Sequence, residues 1–417
     1  MNQPEAILLH VSGEDRPGIT ARLTAVLAEH DVQMLDMNQA VIHRTMLLGM
    51  LVRLPREAND ANLVFPSLLA ACEDMGLQLR MTTVSDEAYH AWVDRQGLPR
   101  FILTLLAPRI SAAQVAAVSH AVAEAGLNIA VITRLTGRPS LRSGDDPRRA
   151  CMELALRGEP ADESALRATL LQVSRDHQID LAWQRDNAFR RNRRLVAFDM
   201  DRVLVEQEVL HELAREMSPA VAEQDARLLD ATLNGDIPLE ESLPKRVAQL
   251  EGLPAAALDR VYDRLEVTDG AERLIYHLKR FGYKTAMISG SFEFFAQRLK
   301  QRFGIDYHAA NKLEVAGGEL TGRLVSQTVT GKRKADLLRG IASIERIDME
   351  QVIAVGDGPN DLPMLASAGL GIAFHASSRV QDSARYKIST LGLDSILYLI
   401  GVRDRDLDDD SAQAVSA

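Results

Sequence analysis

Leu195-Val196-Ala197-Phe198 is an uninterrupted apolar run that ends in two carboxylates, Asp199 and Asp201, one residue apart. A second run, Val352-Ile353-Ala354-Val355, ends in Gly356-Asp357-Gly358-Pro359-Asn360-Asp361. Short apolar runs closed by turn formers read as strands buried on both faces, the kind found in helix-covered parallel sheets. Ionised acids at a buried strand tip are costly, because desolvation penalises the charged form. A metal ion removes that penalty and lets a carboxylate oxygen act as a nucleophile. In open α/β sheets ligands bind beyond the carboxyl ends of the strands, which is where both acidic tips would lie.

The rest of the composition bounds the function. At 417 residues the chain exceeds one ordinary core, so two or three domains are expected. A net charge of -10 and a pI near 5.6 argue against nucleic acid or an anionic membrane as the main partner. Cys72 and Cys151 are too few for a disulfide framework or a cysteine zinc site. No apolar run approaches the roughly 20 residues that span a bilayer. The opening Met1-Asn2-Gln3-Pro4-Glu5 lacks the basic region of a signal peptide, so a cytoplasmic protein is expected.

Before the acidic strands, residues 6–13 read as a strand and 18–30 as a helix, with Ile19, Leu23, Val26 and Leu27 at helical spacing. Strands around 32–42 and 46–54, a helix over 61–76 and a strand at 77–83 complete a ferredoxin-like βαββαβ unit. A shift of 95 residues lays Leu23, Val26 and Leu27 on Val118, Ala121 and Val122, so residues 100–183 read as a second, diverged copy. The Gly-, Pro- and Ser-containing stretch 137–149 reads as a surface loop. The basic run Arg185 to Arg194 reads as a solvated linker helix. From 195 onward strands at 195–199, 283–288 and 352–356 alternate with helices, with a helical insertion at about 206–265. Residues 402–417 offer almost nothing to bury and are expected to be disordered. The resulting division is 1–95, 96–184, a linker at 185–194, an α/β domain at 195–401 and an acidic tail.

Four features converge on the carboxyl edge of the α/β half. They are Asp199 with Asp201, the strand end Met287-Ile288-Ser289-Gly290-Ser291, Lys334 at the start of a helix, and Asp357 with Asn360 and Asp361. The glycine turn beside the Ser289 hydroxyl offers backbone N–H groups to an anion. In these motifs the chain resembles the phosphoserine phosphatases of the haloacid dehalogenase-like (HAD) superfamily over residues 195–401. The resemblance implies a Rossmann-like parallel-sheet core with a helical cap. It implies that Asp199 is the nucleophile and that Asp201 is the general acid and base. Mg²⁺ would be held by Asp199, Asp357 and the main-chain carbonyl of Asp201. Ser289, Gly290 and Lys334 would bind the phosphoryl oxygens, with Asn360 completing the pocket and Asp361 orienting the metal ligands. The product would be L-serine, in the last step of serine biosynthesis.

The chemistry accounts for these residue types. A phosphate dianion repels a carboxylate, so attack requires neutralisation by cations placed where charge is shared in the transition state. One acid must carry a proton while its neighbour is ionised, which opposite environments provide. Within the insertion, Glu208 and Arg246 match the family residues that receive the ammonium and carboxylate of the substrate, and Leu233 and Leu239 fall where apolar cap residues close over it. Arg202-Val203 stand where the family usually has Ser-Thr, Ser291 for a glycine, Pro359 for an alanine, and Thr330-Gly331 for an Asn/Asp-Ala pair.

Asp15-Arg16-Pro17-Gly18-Ile19, between the first strand and helix, resembles the ligand turn of ACT domains, which bind amino acids. Gly18 permits close backbone approach, and a helix N-terminus favours a carboxylate. The resemblance implies an effector site at Asp15, Pro17, Gly18 and Ile19, with L-serine as the effector. The second copy has Ile110 and Ala112-Ala113 there and is expected to pack rather than bind. ACT units usually pair, so a homodimer is expected. Two alternatives stand beside phosphoserine hydrolysis: another small phosphomonoester such as phosphothreonine or phosphohomoserine, and a catalytically weak amino-acid sensor.

Overall fold

The structure, a computed structural model, describes residues 6–55, 58–139, 149–325 and 328–407. It divides into two compact units, at residues 1–98 and 99–417. In the first, strands β1 (Ala6–Glu14), β2 (Gln33–Ile42), β3 (Thr45–Arg53) and β4 (Gln78–Val84) form an antiparallel sheet in the order β2-β3-β1-β4. Ile7, Leu9 and Val11 alternate inward along β1 and meet Leu23, Val26 and Leu27 of the helix Ile19–Glu29 in one core. The period of two on the strand and of 3.6 on the helix bring those apolar faces together. An additional helix, Asp86–Gln96, buries none of its side chains, so it carries no amphipathic signal that the sequence could show.

The second unit opens with the same topology. Strands β5 (Arg100–Ala107), β6 (Asn128–Arg134), β7 (Ala150–Arg157) and β8 (Asp180–Arg185) pair in the order β6-β7-β5-β8. Val118, Ala121 and Val122 are the buried residues of the helix Ala112–Glu124, at the positions of Leu23, Val26 and Leu27 in the first copy.

This sheet is covered on its other face too. Leu106, Cys151 and Ala182 belong to the same apolar core as Ile396 and Leu397 of the α/β half. Asp180 accepts from the Ser389 N–H at 2.7 Å, and Gln184 donates to the Leu399 carbonyl at 3.0 Å. The second βαββαβ copy is thus built into the α/β body.

That packing corrects two expectations. The basic run is not a solvated helix: it contains a single 3-10 turn, Arg190–Asn192, and buries Arg190 and Arg193. Arg190 pairs with Glu153, and Arg193 donates to the Glu350 carbonyl at 2.7 Å. Buried guanidinium groups need such partners, and the interface supplies them. Nor is the tail disordered from its start. Asp404–Asp406 form a 3-10 turn, Asp404 accepts from the Gly137 N–H at 2.7 Å, and Leu407 is buried. Residues 408–417 and most of the 137–149 loop lie outside the described residues.

The α/β body carries β9 (Leu195–Phe198), β10 (Lys284–Phe292), β11 (Tyr307–Asn311), β14 (Val352–Gly356), β15 (Leu370–Phe374) and β16 (Tyr386–Ile388), ordered β11-β10-β9-β14-β15-β16. All of the pairings are parallel. Between β11 and β14 an antiparallel hairpin, β12 (Leu313–Ala316) and β13 (Glu319–Leu324), extends from the body. Phe198 stands level with Met287 on one side and Val355 on the other. The residues that follow therefore leave the sheet on one edge, at the point where strand order reverses. The insertion after β9 is helical, with Val209–Met217, Pro219–Asn234, Leu239–Ala248 and Ala256–Tyr262. Ser218 caps the second of these with Pro219 at its first turn, and Gly235 ends it in the left-handed conformation at φ 76. Among the described residues no helix is long and apolar enough to cross a membrane.

Candidate active site

Above the strand edge lies a pocket of about 340 Å³, lined from the sheet by Asp199, Asp201, Ser289, Gly290, Asp357 and Asn360, and from the insertion by Glu208, Leu233, Leu239 and Arg246. Lys334 and Asp361 stand immediately behind this lining.

The acids are fixed by the strand ends that carry them. The Asp199 N–H donates to the Val355 carbonyl at 2.9 Å, and the Asp199 Oδ1 accepts from the Met200 N–H at 2.7 Å. Its Oδ2 lies 2.8 Å from the Lys334 Nζ, which also donates to the Asp361 Oδ1 at 2.7 Å. Lys334 is wholly buried, on the first turn of the helix Gly331–Glu345. Burial opposes its charge, but Asp199 and Asp361 outweigh burial and hold the ammonium protonated well beyond the usual lysine range. Asp361 uses its other oxygen to accept from the Asp357 and Gly358 N–H groups at 3.1 and 3.0 Å. A side chain at Gly356 would meet the Asp361 Cβ at 2.4 Å, so only glycine lets that carboxylate fold back under its own loop.

Two carboxyls have unusual acidities. Burial, then Glu208 and Asp199, push Asp201 well above the carboxylate range, against Arg202 and the Val209 N–H. Among the described residues its buried Oδ1 has no hydrogen-bond partner. Burial, helped by Asp361 and Asp199, pushes Asp357 up to about 7, while Arg202 and Lys334 pull the other way. Asp361 is pushed up to about 6, again by burial and Asp199.

Carboxylate oxygens of Asp199, Asp357 and Asp361 lie within 4.8 Å of one another. Hard oxygen donors at this spacing suit a small divalent cation. Asp361 meets Lys334 and two N–H groups, Asp199 meets Lys334 and one N–H group, and Asp357 meets Arg202, so Asp199 and Asp357 keep more acceptor capacity for a metal than Asp361 does.

The anion-binding side is equally constrained. Ser289 is buried, and its Oγ accepts from the Ser291 N–H at 3.0 Å. The Gly290 carbonyl accepts from the Asn311 Nδ2 at 2.6 Å, and the Asn311 Oδ1 accepts from the Val329 N–H at 2.8 Å. The strand β10 runs on through Ser289, Gly290 and Ser291, where the sequence suggested a turn, and Asn311 ties this irregular strand end to the segment leading to Lys334. Sequence reasoning missed it, because a polar residue ending a strand carries no sign of its partner.

In the cap, Glu208 accepts from the His211 N–H at 2.6 Å and from Arg246 at 2.9 Å. Arg246 is buried and also grips Asp225, Nε to Oδ1 at 2.6 Å and Nη2 to Oδ2 at 3.0 Å. Asp225 has no exposed surface, and its Oδ2 lies 3.0 Å from the His211 Nδ1. Neither Asp225 nor His211 stood out in the sequence; both look like ordinary helix-surface residues until the cap helices pack. Of the expected site residues, Asp15, Pro17, Gly18 and Ile19 belong to the first unit. There Gly18 adopts φ 94 at the start of the helix Ile19–Glu29, and Ile19 is buried.

Comparison with known proteins agrees with this architecture. Residues 5–82 match the ACT domain family and residues 196–366 the haloacid dehalogenase-like hydrolase family. Phosphoserine phosphatase SerB2 of Mycobacterium tuberculosis is 35% identical over 397 residues, covering 95% of this chain and 93% of that protein. A phosphoserine phosphatase of Streptomyces coelicolor is 32% identical over 403 residues, covering 96% of this chain and 93% of its own. Among solved structures, a HAD-family hydrolase of Salmonella enterica serovar Typhi superposes with a TM-score of 0.61 at 27% identity, over 72% of this chain and 98% of that one.

Proposed function

The chain belongs to the phosphoserine phosphatases of the haloacid dehalogenase-like hydrolases, and we propose that it converts O-phospho-L-serine to L-serine and phosphate through an aspartyl-phosphate on Asp199. The observation that carries this reading is the junction of Asp199, Lys334 and Asp357 beneath a cap that presents Glu208 and Arg246.

Asp199 attacks phosphorus while the P–O bond to the seryl oxygen breaks. Lys334 orients the attacking carboxylate. The leaving alkoxide takes the proton of Asp201, whose environment favours the neutral acid. Asp201, then ionised, takes a proton from water, which attacks the aspartyl-phosphate and releases phosphate with Asp199 regenerated. Proton transfer of this kind is worth about 10²–10⁴ in rate. Ser289 and the Gly290 N–H would hold phosphoryl oxygens, with Asn360 at the rim. Asp199, Asp357 and the Asp201 carbonyl would hold Mg²⁺, which when bound offsets charge on the phosphoryl oxygens. Glu208 would receive the substrate ammonium, and Arg246, whose Nε and Nη2 hold Asp225 and Glu208, would receive the carboxylate through Nη1.

Phosphate release from L-phosphoserine, phosphothreonine and phosphohomoserine, with Mg²⁺ and then with chelator, tests the assignment. Preference for either of the other substrates would transfer the reaction to that phosphomonoester, and equal release with chelator would remove the metal.

The N-terminal units at 1–95 and 96–184 would serve a cytoplasmic enzyme as a regulatory half, with L-serine bound at Asp15, Pro17, Gly18 and Ile19. Exposed Met34, Met37, Val41, Ile42 and Met81 on the first sheet support pairing of two copies. Serine titration of the whole chain and of residues 99–417 checks the regulatory role. That cut leaves the core shared by β5–β8 and the α/β body intact, and equal inhibition of both would exclude serine sensing by the first unit.

A further inference from the structure

Arg202 sits inside the acidic cluster. Its Nη2 lies 2.7 Å from the Asp357 Oδ2, and it lines the same pocket. Its backbone is left-handed at φ 56, a conformation sparsely adopted by residues other than glycine. The turn that imposes it is tight: the Val203, Leu204 and Val205 N–H groups all point to the Met200 carbonyl, at 3.4, 2.9 and 3.2 Å. Strain of this kind persists where surrounding structure fixes it, and it clusters at functional sites. Here it aims a long cationic side chain back over the strand tip.

The charges around it are unevenly shared. Lys334 touches Asp199 and Asp361, and Arg202 touches the remaining acid of the cluster, Asp357. Among the described residues the buried Arg202 Nε has no hydrogen-bond partner, while its Nη2 meets Asp357.

We infer that Arg202 is a mobile counter-ion, which neutralises Asp357 while the metal is absent, yields that carboxylate to the metal, and then pairs with the phosphoryl oxygens of the substrate. The inference rests on the phosphatase reading above. A cation bound through the Asp357 Oδ2 cannot share that oxygen with a guanidinium at hydrogen-bond distance without direct charge repulsion. Once displaced, Arg202 has the planar fork of donors that matches a phosphoryl group. The residue then trades metal affinity for phosphate affinity, which separates it from a purely structural ion pair.

Calorimetric titration of the full-length, metal-stripped protein with Mg²⁺, and of the Mg²⁺-loaded protein with inorganic phosphate, tests this. Arg202→Asn retains tolerance of the left-handed backbone, and Arg202→Lys retains charge without the fork. Arg202→Asn is expected to bind Mg²⁺ about 5- to 10-fold more tightly and phosphate about 10-fold more weakly than wild type. Arg202→Lys should bind phosphate weakly also. Equal or weaker Mg²⁺ binding by Arg202→Asn, or unchanged phosphate binding by either variant, overturns the inference. Loss of Mg²⁺ binding in Asp357→Asn alongside those results would leave the phosphatase reading standing and reject Arg202 alone. Absence of Mg²⁺ binding in wild type and variants alike would reject both.

Discussion

The Lys334 ammonium and the Asp199 carboxylate face each other at 2.8 Å, with the lysine sealed completely from solvent. A buried cation beside the proposed nucleophile holds that carboxylate in position as phosphorus approaches. Lys334→Ala should lower kcat/KM by about 10²–10³, the scale of losing one preorganised electrostatic donor. It should also destabilise the protein by ~3–5 kcal/mol, because Asp199 and Asp361 are left buried without their counter-ion. Phosphate release and urea unfolding measure the two effects separately.

Asp199→Asn preserves the shape of the strand tip and can still accept from the Met200 N–H, so the fold should be retained. Turnover should vanish, and acid quenching with labelled phosphoserine should trap no phosphoenzyme. Labelled protein from this variant would move the nucleophile elsewhere.

Arg246 joins Glu208 and Asp225. Arg246→Ala should weaken phosphoserine turnover by several kcal/mol in transition-state terms. Asp225→Asn, which touches no substrate atom, should also reduce kcat/KM by loosening Arg246, with the loss rescued by neither added Mg²⁺ nor added phosphate. Unchanged phosphoserine kinetics in Arg246→Ala would mean that the assigned substrate is wrong.

Asp357 and Asp361, pushed up to about 7 and about 6, make the metal-free protein sensitive to pH. Both stand above the unfolded carboxyl value of about 3.9, so the folded chain binds more protons than the unfolded one between those limits. The stability they contribute is complete below about pH 4 and is lost as pH rises through 6 to 7. With chelator, the melting temperature should fall from pH 5.5 to 8, Asp357→Asn should flatten that fall, and Mg²⁺ should reverse it at pH 8. A chelated wild-type protein as pH-insensitive as Asp357→Asn would contradict the clustering of these acids.

Gly331 opens the helix Gly331–Glu345 that carries Lys334. An added Cβ would lie 2.7 Å from the Asn360 carbonyl oxygen and 3.3 Å from Pro363. Gly331→Ala should therefore cost about 1–3 kcal/mol by overpacking and should displace Asn360 from the pocket rim. Pairing it with Pro359→Ala, which frees the loop to shift, should recover part of the loss; a double-mutant cycle in urea measures that coupling.

Short-range pattern was sufficient for the frame of this protein. Apolar runs ending in acids identified β9 and β14, and one helical stripe repeated after 95 residues identified the second βαββαβ copy. Such signals survive in one dimension because backbone period and strand burial act over a few residues. Strands β15 and β16, the β12–β13 hairpin, the grip of Asp225 on Arg246 and the role of Asn311 had no equivalent signal. Arg190 and Arg193 were misread as solvated, because a guanidinium is exposed or buried according to what packs on it. Which carboxylate meets which cation depends on surfaces brought together from distant parts of the chain, and only the folded molecule decides that.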